Sequence, residues 1–259
     1  MKRAKIIMEN NNIRTLYNSI IIKENFSLDV IKNENVLFDL NEGINNVNIH
    51  LKKDSSLFLS IVAREEFISA KIVIDMEENA NLNVYFADFS SKNSNISLLV
   101  NENGENDNTI VNLASLSSGK DNKKVDVSLN HFVSFTNGEV NCYGVSKDES
   151  RLLFLGTSHI FKGAKKSKTS QKAKIMVFDS LSKGICKPVL KIDENDVAAN
   201  HAAAVGKIAD DTMFYLMSRG LSKEESKELI TLGYLRPILN GFKDEEYLDI
   251  ISSLIKEKM

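Results

Sequence analysis

The feature that most constrains the fold is a long succession of short apolar runs, from about residue 13 to residue 200. Examples are VNIHL (47–51), SLFLSIV (56–62), KIVIDM (71–76), NLNVYF (81–86), NISLLV (95–100), KVDVSLNHF (124–132) and RLLFLG (151–156). The runs are rich in Val, Ile, Leu and Phe, and Asn, Asp, Gly or Ser bounds them, which is typical of β-strands. Because no helical period of useful length interrupts them, the sequence predicts an all-β body.

The turns between these runs have a weak repeat, in which an acidic or polar residue and a small residue precede an apolar run. The repeat is seen in NEGINNVNI (41–49), KKDSSLFLS (52–60), MEENANLNV (76–84) and KDESRLLFL (147–155). A spacing of 24 residues between the second and third segments is in the range of stacked repeats. A parallel β-helix fits this pattern, because each coil leaves its apolar interior open until the next coil stacks on it. A β-sandwich fits the same strands, so the spacing alone leaves both architectures open.

The pattern changes after residue 205, where helical periodicity begins. The segment IADDTMFYLMSRG (208–220) predicts a helix that Gly220 stops. One apolar face of this helix carries Met213, Phe214, Leu216 and Met217. We expect Phe214 and Met217 to pack against the body or the following helix, and Tyr215 and Arg219, four residues apart, to share another face.

Further helices follow in the C-terminal segment. Ser222 and Glu225 form a capping box that opens the next helix, Gly233 is predicted to end it, and Pro237 suits the first turn of a short helix. Asp244 is a candidate N-cap for the last helix. Its apolar stripe consists of Tyr247, Leu248, Ile251, Leu254 and Ile255. The predicted organisation is a β body over residues 1–205 and a helical subdomain over residues 206–259.

Composition narrows the class of function. The formal charge of −2, from 33 basic and 35 acidic residues, gives no field that would attract nucleic acid or an anionic membrane. The two cysteines exclude a disulfide scaffold and a four-thiolate metal site within one chain. No apolar stretch is long enough for a membrane helix or a signal-peptide core, so we expect a cytoplasmic protein. The run KGAKKSKTSQKAK (162–174) has six lysines and no interleaved aromatic residue, which favours a solvated turn over a nucleic-acid surface.

The segment HAAAVGKIADDTMFYLMSRGLSKEESKELITLGY (201–234) resembles the C-terminal signature of the SufB/SufD family of iron–sulfur cluster assembly proteins. Looser matches lie upstream in FKGAKKSKTSQKAKIMVFDSLSK (161–183) and KPVLKIDENDVAANH (187–201), so that the resemblance covers about residues 131–240. The family implies a right-handed parallel β-helix with a C-terminal helical subdomain. Its members pair through the β-helix, bind the ABC-type ATPase SufC through the C-terminal helices, and assemble nascent clusters at the pair's interface.

The resemblance also locates residues that cluster building uses in the family. SufB-like members have a cysteine where Phe178 lies here, and a glutamate where Ala202 lies; SufD-like members have a cysteine where Ala199 lies. Of these groups only His201 remains, which argues against cluster assembly by this subunit alone. We therefore expect a non-enzymatic scaffold whose only cofactor, if it has one, is a transient iron–sulfur cluster.

The resemblance implies two partners, a SufC-like ABC ATPase and a SufB/SufD-like subunit in a homo- or heterodimer through strands of roughly 125–200. Phe214, Tyr215 and Arg219 are the candidate partner-binding residues. The sequence contains no P-loop motif, so ATP hydrolysis is not expected of this chain.

Two alternatives remain. A metal- or cluster-binding protein could use His201 together with Cys186 or with residues of a second copy. If the two cysteines are structural instead, Cys142 and Cys186 are small buried hydrophobes, and Cys186 is the more exposed of the two because it lies in the turn-like segment SKGICKP. A β-helix enzyme acting on polysaccharide is less well supported, because no arginine stands near a carboxylate at a repeating spacing.

Overall fold

A computed structural model describes residues 4–8, 26–40, 43–243 and 245–259 of the chain, and fifteen strands form the body in these ranges. The strands are β1 (Ala4–Met8), β2 (Phe26–Val30), β3 (Asn33–Leu40), β4 (Gly43–Leu51), β5 (Ser56–Ala63), β6 (Ile68–Met76), β7 (Asn81–Asp88), β8 (Ser94–Glu102), β9 (Asn108–Ser117), β10 (Asn122–His131), β11 (Asn137–Ser146), β12 (Arg151–Ile160), β13 (Lys168–Val177), β14 (Lys183–Ile192) and β15 (Ala198–Lys207). Every run predicted to be a strand lies on one of them, apart from Phe132, the last residue of its run.

The strands form two parallel sheets between which the chain alternates. Sheet A has the order β1-β2-β4-β6-β8-β10-β12-β14, and sheet B has the order β15-β13-β11-β9-β7-β5-β3. From β3 onward each strand therefore pairs with the strand two further along the chain, so that Ile72, Leu98 and Val127 stack on one another in successive coils of sheet A. This is a parallel β-helix, which confirms that architecture over the sandwich, whose sheets are antiparallel.

The interior is one continuous apolar column. Residues alternate along each strand between a buried inner row and an outer row, as in β6, where Ile68, Ala70, Ile72, Ile74 and Met76 are buried. Apolar side chains of the inner row stack in register from coil to coil and form a single hydrophobic cluster that extends from β2 to β13. Because the apolar alternation has the period of a strand, a slip of one residue would expose the whole inner row, which fixes the register.

The turns that lead from sheet A to sheet B share one backbone feature, a residue in the left-handed conformation. Asp54, Asn79, Asn106, Phe135 and Lys166 have φ between 59° and 64° and occupy successive coils. Asn and Asp tolerate this left-handed conformation better than other residues with a side chain. The Asn79 amide donates to Asp54 Oδ1 at 2.8 Å and the Asn106 amide to Asn79 Oδ1 at 3.2 Å, so a ladder of side chains joins the first three of these turns.

Three α-helices and a 3-10 helix complete the described chain: α1 (Asp210–Ser218), α2 (Lys223–Leu235), the 3-10 helix (Arg236–Gly241) and α3 (Glu245–Lys258). The capping box of Ser222 and Glu225 is present in both directions, and Pro237 lies in the first turn of the 3-10 helix, as predicted. The prediction that Gly233 ends the helix is wrong, because α2 continues to Leu235, where the 3-10 helix takes over. Asp244, the predicted N-cap, lies outside the described residues.

The helices α2, 3-10 and α3 pack on the outer face of sheet B. A second hydrophobic cluster holds them, formed by Val62, Ala87, Phe89, Ala114, Leu116 and Val145 of the body with Leu235, Ile238, Phe242, Ile251 and Ile255 of the helices. Ser60 donates a buried hydrogen bond of 2.5 Å to the carbonyl of Gly241. The predicted division at residue 205 lies two residues before the end of β15, and whether the two parts are separate domains stays a prediction. No helix that the structure describes is long and apolar enough to cross a membrane.

Candidate functional site

The β-helix ends in an open coil made of β14 and β15. In the described structure β14 is the last strand of sheet A and β15 the last strand of sheet B, so one edge of each has no neighbour. All ten residues of β15 are exposed, and most of them are Ala or Gly. A flat, apolar strand edge with unpaired backbone groups is a template for pairing with another strand. The open coil is therefore the first candidate interaction surface.

His201 lies on β15 in register with the buried Gln171 of β13. It therefore belongs to the row that faces the interior, yet it is exposed because no coil covers it. The structure shows Cys186 on β14, in the opposite sheet, in register with the buried Phe154. The prediction of a turn around Cys186 is wrong, since the segment 183–192 is a strand.

Both cysteine thiols are wholly or partly buried. Burial raises the pKa of Cys142 to about 12 and that of Cys186 to about 11, so both are protonated at neutral pH. Cys142 lies in the main hydrophobic cluster and Cys186 packs against it, which confirms Cys142 as a small buried hydrophobe. Within the described residues no group of three or more His, Cys, Asp and Glu side chains is placed to hold a metal ion. The use of His201 and Cys186 as ligands stays a prediction.

Helix α1 projects from the body and forms the second candidate surface. Considering the described residues, no side chain of α1 is buried, and Phe214, Tyr215 and Met217 are 75%, 57% and 46% exposed. The prediction that Phe214 and Met217 pack against the body or the following helix is wrong, since both side chains are exposed; Met213 and Leu216 are the partly covered pair. The guanidinium of Arg219 lies 5.3 Å from the centre of the Tyr215 ring, a cation–π contact that holds both side chains on one exposed face.

Phe178, where the sequence resemblance implies a cysteine in SufB-like members, contacts the C-terminal helices. Its ring packs with the helical cluster, and the Lys227 ammonium lies 5.5 Å from the ring centre. Lys227 also lies 3.4 Å from Asp179 Oδ1, and this contact contributes to holding the pKa of Asp179 below its usual range against the opposing effect of burial. Phe178 is therefore a packing residue.

Two buried polar clusters were missed by the sequence analysis. Lys123 and Asp88 form a fully buried ion pair at 3.2 Å, and the hydroxyls of Ser90, Ser94 and Ser115 donate to the same carboxylate. The signal was available, since Lys123 begins the alternating row of β10 that continues with Val125 and Val127, but one strand does not reveal which coil supplies its partner.

The second cluster is centred on His131. Its Nδ1 lies 2.6 Å from Glu102 Oε2 and 2.8 Å from Thr136 Oγ1, which in turn donates to Ser167 Oγ. His131 Nε2 has no hydrogen-bond partner among the described residues. His131 is thus an interior residue. The six lysines of 162–174 are all exposed, which confirms the solvated surface.

A parallel β-helix with an open terminal coil and a projecting helix defines a class of protein that offers surfaces for assembly. The family model described as the SUF system FeS cluster assembly, SufBD core domain, matches residues 6–234. The chain belongs to this family.

Curated relatives agree with the family assignment. The chain is 33% identical to the iron–sulfur cluster assembly protein SufD of Bacillus subtilis over 141 residues, 54% of this chain and 32% of the relative. It is 31% identical to a SufBD family protein of Mycobacterium leprae over 120 residues, 46% of this chain and 14% of the relative. It is 28% identical to one of Staphylococcus saprophyticus over 129 residues, 50% of this chain and 28% of the relative. The matched part is less than a third of each of these relatives.

Proposed function

We propose that this chain is a non-catalytic scaffold subunit of a SufBCD-like complex that assembles iron–sulfur clusters. The observation that carries the proposal is that all ten residues of β15 are exposed at the open end of a SufBD-family β-helix. A terminal coil with small side chains and an unpaired edge is a costly surface for an isolated subunit, because it invites uncontrolled strand pairing. A specific partner at this end removes that cost.

The pairing partner is a SufB/SufD-like subunit, either a second copy or a different chain. The small side chains of Ala202, Ala203 and Ala204 let another strand approach β15 from its free edge without obstruction. Val205 on β15 is 46% exposed, and Ile185 and Val189 on β14, the last strand of the other sheet, are 44% and 42% exposed, so the terminal coil carries further apolar area. Burial of such area is the main favourable term in association.

A SufC-like ABC ATPase binds helix α1. An exposed aromatic pair with an arginine is the composition of an interface hot spot, because these side chains supply large contact area and directed charge. Phe214, Tyr215 and Arg219 provide this composition on a helix that the body leaves uncovered. Since α1 follows β15 after two residues, an ATPase on α1 stands close to the pairing edge.

The iron–sulfur cluster is cargo and not a resident group of this chain. The alternative, a metal- or cluster-binding protein, is favoured by one observation, the position of His201 at the uncovered edge, where a second subunit could add ligands. The burial of Cys142 in the main hydrophobic cluster, with Cys186 packed against it, supports the scaffold. The cytoplasmic location that the composition predicts is part of this proposal.

Co-purification with a SufC-like ATPase and light scattering at micromolar concentration test the proposal. Ala203→Lys, which places an ammonium in the terminal coil, is expected to abolish pairing and to spare ATPase binding. Arg219→Ala is expected to do the reverse, with Lys124→Ala on the outer face of β10 as the matched exposed control.

The results that contradict the proposal are equally defined. A monomer alone and with a SufB-like subunit, together with no affinity for the ATPase, refutes the scaffold role. Retention of stoichiometric iron after anaerobic reconstitution with iron and sulfide, lost in His201→Ala, establishes the alternative instead.

A further inference from the structure

The outer face of sheet A changes its chemistry at the open end of the β-helix. On β8 and β10 the outward-facing side chains are polar apart from Leu99. On β12 the outer row contains Leu153 and Leu155. The outer row of β14 consists of Lys183, Ile185, Lys187, Val189 and Lys191. We name the outer rows of β12 and β14 the lysine face. A sheet face in contact with water is expected to be polar, so the apolar side chains of this face need an explanation.

These apolar side chains adjoin one another and remain accessible. Leu153 of β12 is in register with Ile185 of β14, and side chains on one face of neighbouring strands lie about 5 Å apart. Ile185 and Val189 are 44% and 42% exposed, so the stems of the lysines between them do not cover them. Exposed apolar area that charged side chains surround is typical of a binding surface.

The cations of the lysine face have no partner among the described residues. Its two rows contain Arg151 and the three lysines of β14, all exposed, and no carboxylate. One neighbouring carboxylate, that of Asp126 on β10, lies in register with Leu155. The other neighbouring carboxylates already contact cations of this chain, in the pairs Asp148–Lys147, Glu149–Lys120, Asp179–Lys227 and Asp193–His159. Residues 161–207 contain ten lysines and four carboxylates, a formal charge of +6 in a chain whose total is −2. This end of the molecule therefore attracts negative charge.

Protection of the sheet edge accounts for only part of the lysine face. Lysines on an edge strand discourage pairing with other sheets, and β14 is the last strand of sheet A in the part of the chain that the structure describes. That role does not account for Ile185 and Val189, which stand between the lysines. Nor does it account for the leucines of β12, because this strand is paired on both sides.

Spacing and charge together select the kind of partner. Every second residue of a strand points to the same face, at a repeat of about 6.6 Å, so lysines and apolar side chains alternate along β14 at the repeat of any extended segment. Neither row contains a Phe, Tyr or Trp on which nucleic-acid bases would stack. Insertion of Ile185 and Val189 into a bilayer would take the ammonium of Lys187 below the headgroups, which is costly.

We infer that the lysine face binds an extended acidic segment of another protein, in which apolar side chains and carboxylates alternate on one face. The apolar side chains lie on Leu153, Ile185 and Val189, and the carboxylates pair with Lys187 and the lysines on either side of it. A strand that pairs with β15 extends sheet B and leaves this face of sheet A uncovered. The inference therefore does not depend on the scaffold function proposed above.

Fluorescence polarisation with short labelled peptides tests the inference on the full chain. The probe is Leu-Ser-Glu-Ser-Val-Ser-Glu-Ser-Leu, which carries its apolar and acidic side chains on one face when extended. One control peptide has Lys in place of Glu. The other, Leu-Glu-Val-Glu-Leu-Ser-Ser-Ser-Ser, has the same composition but places the two kinds of side chain on opposite faces. The probe is expected to bind at least about tenfold more tightly than either control.

Variants of the chain locate the site. Lys187→Glu is expected to weaken the probe by about tenfold through like-charge repulsion, and Ile185→Ser by about fivefold through loss of apolar area. The matched control is Lys71→Glu, at an exposed position on the outer face of β6, which is expected to change nothing because salt screens charges at that distance. Ala203→Lys, which blocks the edge of β15, is expected not to weaken the probe.

Several outcomes overturn the inference. They are no binding of the probe up to about 1 mM, equal affinity for either control peptide, unchanged affinity in Lys187→Glu, and tighter binding of an oligothymidylate or of phosphatidylglycerol vesicles. Loss of probe binding in Ala203→Lys would place the peptide on the pairing edge instead. Self-association that Lys187→Glu abolishes, without an effect on the probe, would identify the occupant as a second copy of this chain and also refute the inference.

A stability measurement separates binding from folding. Ile185→Ser is expected to leave the urea midpoint nearly unchanged, because the side chain faces solvent. The buried Phe154→Ala is the reference for loss of a packed side chain. If Ile185→Ser lowers the midpoint as far as Phe154→Ala does, Ile185 is a structural residue and the inference is wrong.

Discussion

Replacing Lys123 by Met is expected to lower the free energy of unfolding by about 3–5 kcal/mol, the range found when one partner of a buried ion pair is removed. Lys123 Nζ lies 3.2 Å from Asp88 Oδ1 and donates to the carbonyl of Ser90 at 2.9 Å. Both side chains are fully buried. Without the ammonium, the Asp88 carboxylate keeps its serine hydroxyls but faces the β-helix interior as an uncompensated charge.

An exposed pair of similar geometry supplies the control. Lys52 Nζ lies 2.9 Å from Glu77 Oε1, closer than the buried pair, but the two side chains are 43% and 51% exposed. Solvent screens this attraction, so Lys52→Met is expected to cost only about 0–1 kcal/mol. The two substitutions change the same residue type to the same product. Their difference therefore measures what burial does to an ion pair.

Urea unfolding followed by far-ultraviolet circular dichroism at pH 7 measures Lys52→Met, Lys123→Met, Asp88→Asn and the double variant Asp88→Asn/Lys123→Met. The double variant removes both charges, so we expect it to be more stable than the sum of the single losses predicts. A loss for Lys123→Met no larger than that for Lys52→Met would refute the reasoning. So would strict additivity in the double variant, since the two side chains would then not be coupled.

Three further predictions concern other described residues. Burial raises the pKa of Asp107 from 3.8 to about 7, so between these pH values the folded chain holds a proton that the unfolded chain has released. The stabilisation from this carboxyl group is fully present below about pH 4 and is lost as the pH rises through about 7. Asp107→Asn should therefore make the free energy of unfolding, measured in urea, less dependent on pH across this range. Phe214→Ala should change the free energy of unfolding by less than about 0.5 kcal/mol, because the ring is 75% exposed. Ile251→Ala, at a buried position, should lower it by about 2–5 kcal/mol, as measured by thermal unfolding. Equal losses in the two variants would show that the Phe214 ring is packed in a core. Cys142 should react with a thiol reagent at pH 8 only after urea unfolding, because burial raises its pKa to about 12; rapid labelling of the folded chain would contradict its position in the core.

The local features of this fold could be predicted from the sequence because their causes are local. Alternation of apolar and polar residues indicated the strands, and the capping box of Ser222 and Glu225 indicated the start of α2. The prediction of an apolar stripe on α3 was confirmed for the same reason, since its residues Ile251 and Ile255 are buried. The error at Gly233 shows the limit, since a glycine stops a helix only where the backbone turns left-handed, and here α2 continues past it.

The position of each residue relative to other coils was decided by the tertiary structure alone. The sequence pattern gave sandwich and β-helix equal support, and only the stacking of Ile72, Leu98 and Val127 in parallel register distinguishes them. The burial of His131 beside Glu102 and of Lys123 beside Asp88 depends on coils separated by 29 and 35 residues. The exposure of Phe214 likewise depends on where α1 projects, because an amphipathic pattern identifies an apolar face but not what covers it.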